Sequence, residues 1–194
     1  MANDDAGCKK AVIAEYVRAR GGGLLMYLDA DDLVDSRVVA TARESIVDQR
    51  TAGIVTAGVA IDYPSGNALV LPDPRLGGLH FHEVCGSSTV ACIDPGASDL
   101  VRRDPHAALG SHHEWHRSAA RAGLDLARLP VCGGYFVNTS ESHSEHYGPS
   151  ADWKREFARR VAKLGSPIAP EHADQLGLDA EFPMRSLRGA AWIE

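Results

Sequence analysis

The first half of the chain switches between two periods of apolar and polar residues. Apolar side chains recur at helical spacing over residues 9–20, and Gly21-Gly22-Gly23 follows as a helix stop. Residues 24–28 then form an unbroken apolar run, which is typical of a buried strand, and the run ends at Asp29. Helical spacing returns over residues 36–49. The pattern therefore predicts a helix, a strand, an acidic loop and a second helix.

Shorter apolar segments continue this alternation through the rest of the chain. Residues 54–61 and 68–71 flank a polar segment with Pro64 and Gly66, which is typical of a strand, a turn and a second strand. The remaining pattern predicts strands over 79–84, 88–93, 124–129 and 134–137, helices over 112–122, 151–164 and near 172–176, and a polar loop that ends at Ser150. Strands that alternate with helices favour an α/β layer architecture.

Composition and charge narrow the class of protein. The chain has 194 residues, of which 44% are hydrophobic, which is sufficient for one sizeable core. Its formal charge of −6 argues against a nucleic-acid partner, because such binding needs a basic face. The longest apolar run, residues 24–28, is far too short for a transmembrane helix, and the N-terminus lacks the features of a signal peptide. We therefore expect a soluble, cytoplasmic domain.

Three aspartates stand close together where the predicted strand ends. Asp29, Asp31 and Asp32 repel one another unless a cation, hydrogen-bond donors or water neutralise them. In open α/β sheets, ligands gather at the carboxyl ends of strands, and carboxylate oxygens suit Mg²⁺ or Mn²⁺. A solvated turn in which an aspartate caps the next helix is the alternative.

These residues carry a resemblance to a known family. Residues 24–34, LLMYLDADDLV, resemble the strand and D-x-D loop of GT-A fold glycosyltransferases of the family 2 type. Residues 112–115, which open a helix ending at Ala122-Gly123, are similar to the acidic-pair segment of that family, and residues 129–144 are similar to the strand and polar segment that follow it. The resemblance covers about residues 9–150 and implies an α/β GT-A domain with a mixed sheet flanked by helices.

The resemblance also implies a reaction and a site. The family transfers a sugar, with inversion, from a nucleotide-diphosphate donor to a saccharide acceptor. Asp31, with Asp29 as the second ligand, is then expected to hold Mg²⁺ or Mn²⁺ and the donor diphosphate, together with Asp32. Glu114 stands at the position of the catalytic base, and His113 replaces its acidic companion. We therefore expect Glu114 and His113 to be the catalytic pair.

The segment before the D-x-D loop is shorter here than in the family that the sequence resembles. Only 28 residues precede Asp29, whereas these enzymes place an opening strand and a nucleoside-binding loop before the D-x-D segment. We therefore expect a truncated GT-A domain over residues 1–164, without the nucleoside-binding part, and a C-terminal extension over residues 165–194. A remnant that binds only a saccharide or a partner protein is one alternative.

Two further possibilities come from other side chains. Nine histidines cluster along the chain, and His112 and His116 stand four residues apart, a spacing that allows both to face one zinc ion. A zinc enzyme is therefore a third hypothesis. The predicted helix over 151–164 carries several basic residues. Peripheral contact of this helix with an anionic membrane surface is therefore a further hypothesis.

Overall fold

A computed structural model describes residues 4–140 and 143–179, with side chains for residues 8–140 and 145–179. The helices are α1 (Asp4–Ala19), α2 (Val38–Ser45), α3 (Phe81–Val84), α4 (Leu100–Arg103), α5 (Pro105–Leu109), α6 (Trp115–Ala122), α7 (His143–His146), α8 (Ala151–Leu164) and α9 (Pro170–Gln175). The strands are β1 (Gly23–Met26), β2 (Asp32–Val34), β3 (Thr51–Asp62), β4 (Asn67–Leu71), β5 (Thr89–Ile93), β6 (Asp125–Val137) and β7 (Ser166–Pro167). Short 3₁₀ turns cover Pro74–Leu76 and His112–Glu114.

The chain forms two compact units that alternate along the sequence. The first contains the described residues up to Asp29 together with Arg37–Thr56 and His82–Pro130. The second contains Ala30–Ser36, Ala57–Phe81 and the described residues from Val131 onwards. Strands β3 and β6 each contribute residues to both units.

The first unit is built on strands β1, β5 and the start of β3. Strand β1 pairs with β5 in antiparallel register, with Met26 opposite Val90, and β5 pairs with β3, with Ala91 opposite Ala52. Helix α6 buries Trp115 against this sheet, in a cluster that includes Ile54. The cluster consists of Ala52, Ile54, Ala91, Leu109, Trp115, Ala119 and Leu124. Burial of these apolar side chains is the main favourable contribution to the stability of this unit.

The second unit is built on antiparallel strand pairs. The β3–β4 hairpin sets Ile61 opposite Ala68, and β4 also pairs with β7. Strand β2 pairs with β6, with Asp32 opposite Tyr135. Its core contains Val59, Ile61, Ala68, Cys132 and Leu176. The segment after α8 therefore packs into this unit as far as α9 and Leu176, while the predicted boundary at residue 165 stays a prediction.

The α/β class is confirmed, and the sheet includes strands that run in the same direction. The Asp125 amide donates to the Arg50 carbonyl at the start of β6 and β3, and the Tyr63 amide donates to the Val137 carbonyl at their ends. Strands β3 and β6 pair with each other and are therefore parallel, whereas the registers described above are antiparallel. None of the helices in the described ranges is both long and apolar enough to cross a bilayer.

Three predictions of secondary structure were wrong. Residues 79–84 were predicted as a strand, but Phe81–Val84 is helical, because the buried Phe81 and Val84 lie on the same face at helical spacing. Residues 124–129 and 134–137 were predicted as separate strands, but β6 is continuous through Pro130. Part of the predicted polar loop before Ser150 is the short helix α7.

The ring of Phe81 explains why β6 tolerates its glycines. A Cβ on Gly133 would lie 2.1 Å from Cε1 of Phe81, and a Cβ on Gly58 would lie 2.2 Å from Cδ2 of the same ring. Both glycines therefore give the buried ring room between β3 and β6 in the second unit, which offsets the usual cost of glycine inside a strand.

Candidate functional site

Asp29 lies in the first unit, three residues beyond the end of β1. Its backbone N–H donates a 2.8 Å hydrogen bond to Oγ of Ser87. The β1–β5 register, in which Met26 faces Val90, would place Asp29 opposite Ser87 if it continued past the last strand pair. Ser87 is fully buried and Asp29 is exposed. The start of the D-x-D segment is therefore attached to the buried turn that precedes β5.

Gly86 separates the Asp29 carboxylate from a histidine ring. A Cβ on Gly86 would lie 3.5 Å from Oδ2 of Asp29 and 3.7 Å from Cδ2 of His112. Both contacts are of ordinary van der Waals length, and φ of Gly86 lies outside the left-handed region. The backbone therefore does not require glycine here. The gap between Asp29 and His112 at this glycine is therefore about the size of one methyl group.

A second histidine holds the ring of His112 in place. The Nδ1–H of His112 donates to the backbone carbonyl of His82, because a carbonyl oxygen only accepts. The buried ring of His82 meets the ring of His116 edge to face, with 4.7 Å between centroids. Three of the clustered histidines therefore lie together in the first unit, and His112 is the one that lies beside Gly86.

The predicted catalytic pair, His113 and Glu114, lies on the 3₁₀ turn that carries His112. Nδ1 of His113 is 3.0 Å from Oγ of Ser111, and its ring meets that of His112 at 5.2 Å between centroids. Oε2 of Glu114 lies 3.3 Å from the position of a Cβ on Gly110. The described contacts thus bring His112, rather than Glu114, next to the space beside Asp29. From the sequence, His112 was a candidate zinc ligand and part of the segment that resembles the acidic pair, but it was not predicted as a neighbour of Asp29.

The other two aspartates of the D-x-D segment belong to the second unit. Asp31 is exposed on the turn before β2, and Asp32 begins β2 with 9% of its surface exposed. Neither the Asp29 nor the Asp31 carboxylate makes a hydrogen bond or ion pair with the described side chains. Within the described ranges, no three His, Cys, Asp or Glu side chains converge as a metal site.

The Asp29 carboxylate of the first unit fits Mg²⁺ or Mn²⁺ that is bound together with a phosphate ligand. Mg²⁺ usually takes only one or two protein carboxylates and completes its shell with water and substrate phosphates. The carboxylates of Asp29 and Asp31 have no protein partner among the described residues, so each, taken by itself in its own unit, is a suitable ligand. Asp32 is mostly buried and already takes part in an interaction within the protein, so it suits a supporting role better than direct coordination.

Two half-buried aromatic side chains, His106 of α5 and Tyr27 just after β1, attach this strand to helices α5 and α1. Nε2 of His106 donates to the Leu25 carbonyl at 3.0 Å, and burial lowers the pKa of His106 to about 4. The Tyr27 hydroxyl donates to the Lys10 carbonyl at 2.8 Å, and burial raises the pKa of Tyr27 to about 12. Both side chains are therefore neutral near pH 7 and hold the strand that leads to Asp29.

A polar network closes the end of β6 in the second unit. Asn138 has φ of +57°. Its Nδ2 donates to Oδ1 of Asp62 at 2.6 Å, and its backbone N–H donates to Oε1 of Glu145 at 3.0 Å. Asp62 and Glu145 are both buried, so Asn138 supplies hydrogen-bond donors that these carboxylates need. This network explains why asparagine occupies the end of the strand.

The comparisons with known proteins identify no relative. No protein-family model matches the chain, and no curated protein or solved structure is significantly similar to it.

Proposed function

We propose that the protein is a metal-dependent, inverting glycosyltransferase with a GT-A type domain. The proposed donor is a nucleotide-diphosphate sugar, the acceptor is a saccharide, and the reaction takes place in the cytoplasm. The observation that carries the proposal is the shared position of Asp29 and His112 beside Gly86. Two segments that resemble glycosyltransferase motifs, 83 residues apart by the numbering of Asp29 and His112, thus flank the same glycine in the first unit.

The chemistry needs negative charge to be stabilised on the leaving diphosphate. A divalent cation bound with the donor supplies Lewis-acid stabilisation of that charge. Asp29 is the proposed ligand in the first unit, because its carboxylate is exposed and makes no interactions with other described side chains. Asp31 stays the expected second ligand on the ground of the sequence resemblance alone. The acceptor hydroxyl must also lose a proton, and Glu114 on the 3₁₀ turn next to His112 is the proposed base.

A donor-hydrolysis screen tests this function. Wild type is incubated with UDP-, GDP- and dTDP-sugars in the presence of Mn²⁺, and release of nucleoside diphosphate is measured. We expect hydrolysis of at least one donor, and loss of this activity in Asp29→Asn and Asp31→Asn. Asp125→Asn is the matched control, because Asp125 is an exposed aspartate at the start of β6.

Calorimetry with the same donors provides the decisive binding measurement. Failure of wild type to bind any donor in the presence of Mn²⁺ would exclude a glycosyltransferase activity for this chain. Binding of a saccharide without donor binding would instead favour the non-catalytic alternative.

A further inference from the structure

The hydrogen bond between Asp29 and Ser87 lies where a continued β1–β5 register would place a backbone pair. The backbone pairs of β1 and β5 end with Met26 opposite Val90. Asp29 and Ser87 would be the third pair beyond that point, yet the Asp29 amide bonds to the Ser87 hydroxyl rather than to a backbone carbonyl. The side chain of Ser87 therefore fixes Asp29 after the two strands have separated.

The turn that carries Ser87 is itself firmly held. Oγ of Ser88 donates to the Cys85 carbonyl at 2.8 Å, and the Ser88 carbonyl accepts a hydrogen bond from the Val55 amide at 2.8 Å. Ser87 and Ser88 both have 0% of their surface exposed. Asp29, by contrast, lies on exposed irregular backbone. The rigid partner in this contact is thus the buried serine, and the aspartate depends on it for a fixed position.

We propose that Ser87 is a positioning residue that holds Asp29 in the conformation that binds the metal ion and the donor diphosphate. The inference rests on the proposed function, because it assigns Asp29 to that ligand. Loss of the hydroxyl removes the acceptor of the Asp29 amide and allows the backbone more conformations. The apparent affinity for a ligand falls in proportion to the fraction of molecules in the binding conformation. Ser87 acts through Asp29 and needs no contact with the ligand.

Neighbouring serines provide a matched pair of variants. Ser87→Ala removes the hydroxyl that accepts from Asp29, whereas Ser88→Ala removes an equally buried hydroxyl that bonds within its own turn. Both changes delete a buried hydrogen bond, and Ser87 takes part in a further interaction within the protein, so both variants are expected to lower the free energy of unfolding, which is measured for each. Only the first variant releases Asp29.

The experiment measures the position of Asp29 and its ligand affinity separately. Amide hydrogen exchange by NMR reports the protection of the Asp29 N–H, and calorimetry measures binding of Mn²⁺ with UDP, GDP or dTDP. We expect Ser87→Ala to speed exchange at Asp29 and to weaken nucleotide binding by about 3- to 10-fold, as the loss of one neutral hydrogen bond suggests. Ser88→Ala is expected to change neither quantity.

Each other outcome has a definite meaning. Unchanged exchange at Asp29 in Ser87→Ala overturns the inference. Equal nucleotide affinities of the two alanine variants also overturn it. If both affinities are reduced by the same factor, a general loss of stability explains the reduction. If wild type binds none of the three nucleotides, the proposed function fails and the role of Ser87 fails with it. Binding by wild type with no selective effect of Ser87→Ala overturns only the role of Ser87.

Discussion

Nε2 of His106 donates a 3.0 Å hydrogen bond to the carbonyl oxygen of Leu25, so α5 is attached to the strand that precedes Asp29. The same ring contacts Tyr27 and Trp115, with centroids 4.5 Å and 5.1 Å away. A neutral imidazole is therefore part of the packing of the first unit, and its protonation opposes folding.

This contact predicts a loss of stability in acid. Burial lowers the pKa of His106 from 6.5 to about 4 in the folded protein. As the pH falls, His106 is therefore protonated in the unfolded chain, near pH 6.5, before it is protonated in the folded protein, near pH 4. The stabilisation from the neutral ring is complete above pH 6.5 and is lost between pH 6.5 and pH 4. We expect His106 to account for up to about 3 kcal/mol of this loss. Denaturant titrations between pH 7 and pH 4 measure it.

His106→Gln is the control for this pH dependence. Glutamine keeps an N–H donor for the Leu25 carbonyl but does not titrate in this range. The variant is expected to show a shallower fall in unfolding free energy between pH 6.5 and pH 4. Parallel curves for wild type and variant would contradict the assignment to His106.

Gly86 provides a test of the space beside Asp29. Gly86→Leu fills this space, so we expect nucleotide-sugar hydrolysis to fall at least about 10-fold, because a misplaced ligand loses much of its rate. Its φ is outside the left-handed region, so the backbone is expected to tolerate the change. Gly96→Leu is the matched control, since Gly96 is also a loop glycine without a positive φ.

Steady-state kinetics and thermal unfolding are measured for both leucine variants. Activity that survives in Gly86→Leu, with a wild-type melting temperature, would show that the space beside Asp29 is not used by the substrate.

Glu114→Gln tests the proposed base. The amide cannot accept the proton of the acceptor hydroxyl, so kcat is expected to fall by about 10²- to 10⁴-fold while donor affinity stays the same. Glu44→Gln, an exposed glutamate on α2, is the control. A wild-type kcat in Glu114→Gln assigns the proton transfer to another group, and His112→Asn is then the next variant to measure.

Asn138 is expected to be essential for the stability of the second unit. Asn138→Asp replaces the Nδ2 donor, 2.6 Å from Oδ1 of Asp62, with a carboxylate oxygen next to a buried carboxylate. Removal of the donor alone costs about 1–3 kcal/mol, and charge repulsion near neutral pH adds to this. Urea titration is expected to show a larger loss than in Asn138→Ala. Asn67→Asp, in the half-exposed start of β4, serves as the control and is expected to have little effect.

The strongly periodic elements could be predicted from the sequence, and those defined by distant partners could not. The spacing of apolar residues predicted α1, β1 and α8 with errors only at their ends. Helix α3 was missed because four residues are too few to distinguish a helical from an extended pattern. The continuity of β6 depends on Phe81, which lies 52 positions before Gly133 and fills the space that its glycines leave.

In the candidate site, too, the locally encoded features could be predicted and the contacts between distant residues could not. The acidic segment at Asp29 was predicted, since an apolar run that ends in aspartates is a local signal. Its contact with Ser87 was not, because the two residues are 58 positions apart and meet only through the β1–β5 register. His112 was likewise placed beside Asp29 by the fold, and no local pattern distinguishes it from the other histidines of the chain.

The two units alternate along the chain, and this order limits which fragments can be expressed and which segments can be exchanged by recombination. The backbone passes between them after Asp29, Ser36, Thr56, Phe81 and Pro130. No single cut in the gene separates one unit from the other, because every such cut leaves at least one unit incomplete. A recombination event that replaced one whole unit by a contiguous stretch of another gene would also remove the segments of the other unit that lie between its parts. The smallest piece that evolution or an engineer can exchange intact therefore includes segments of both units.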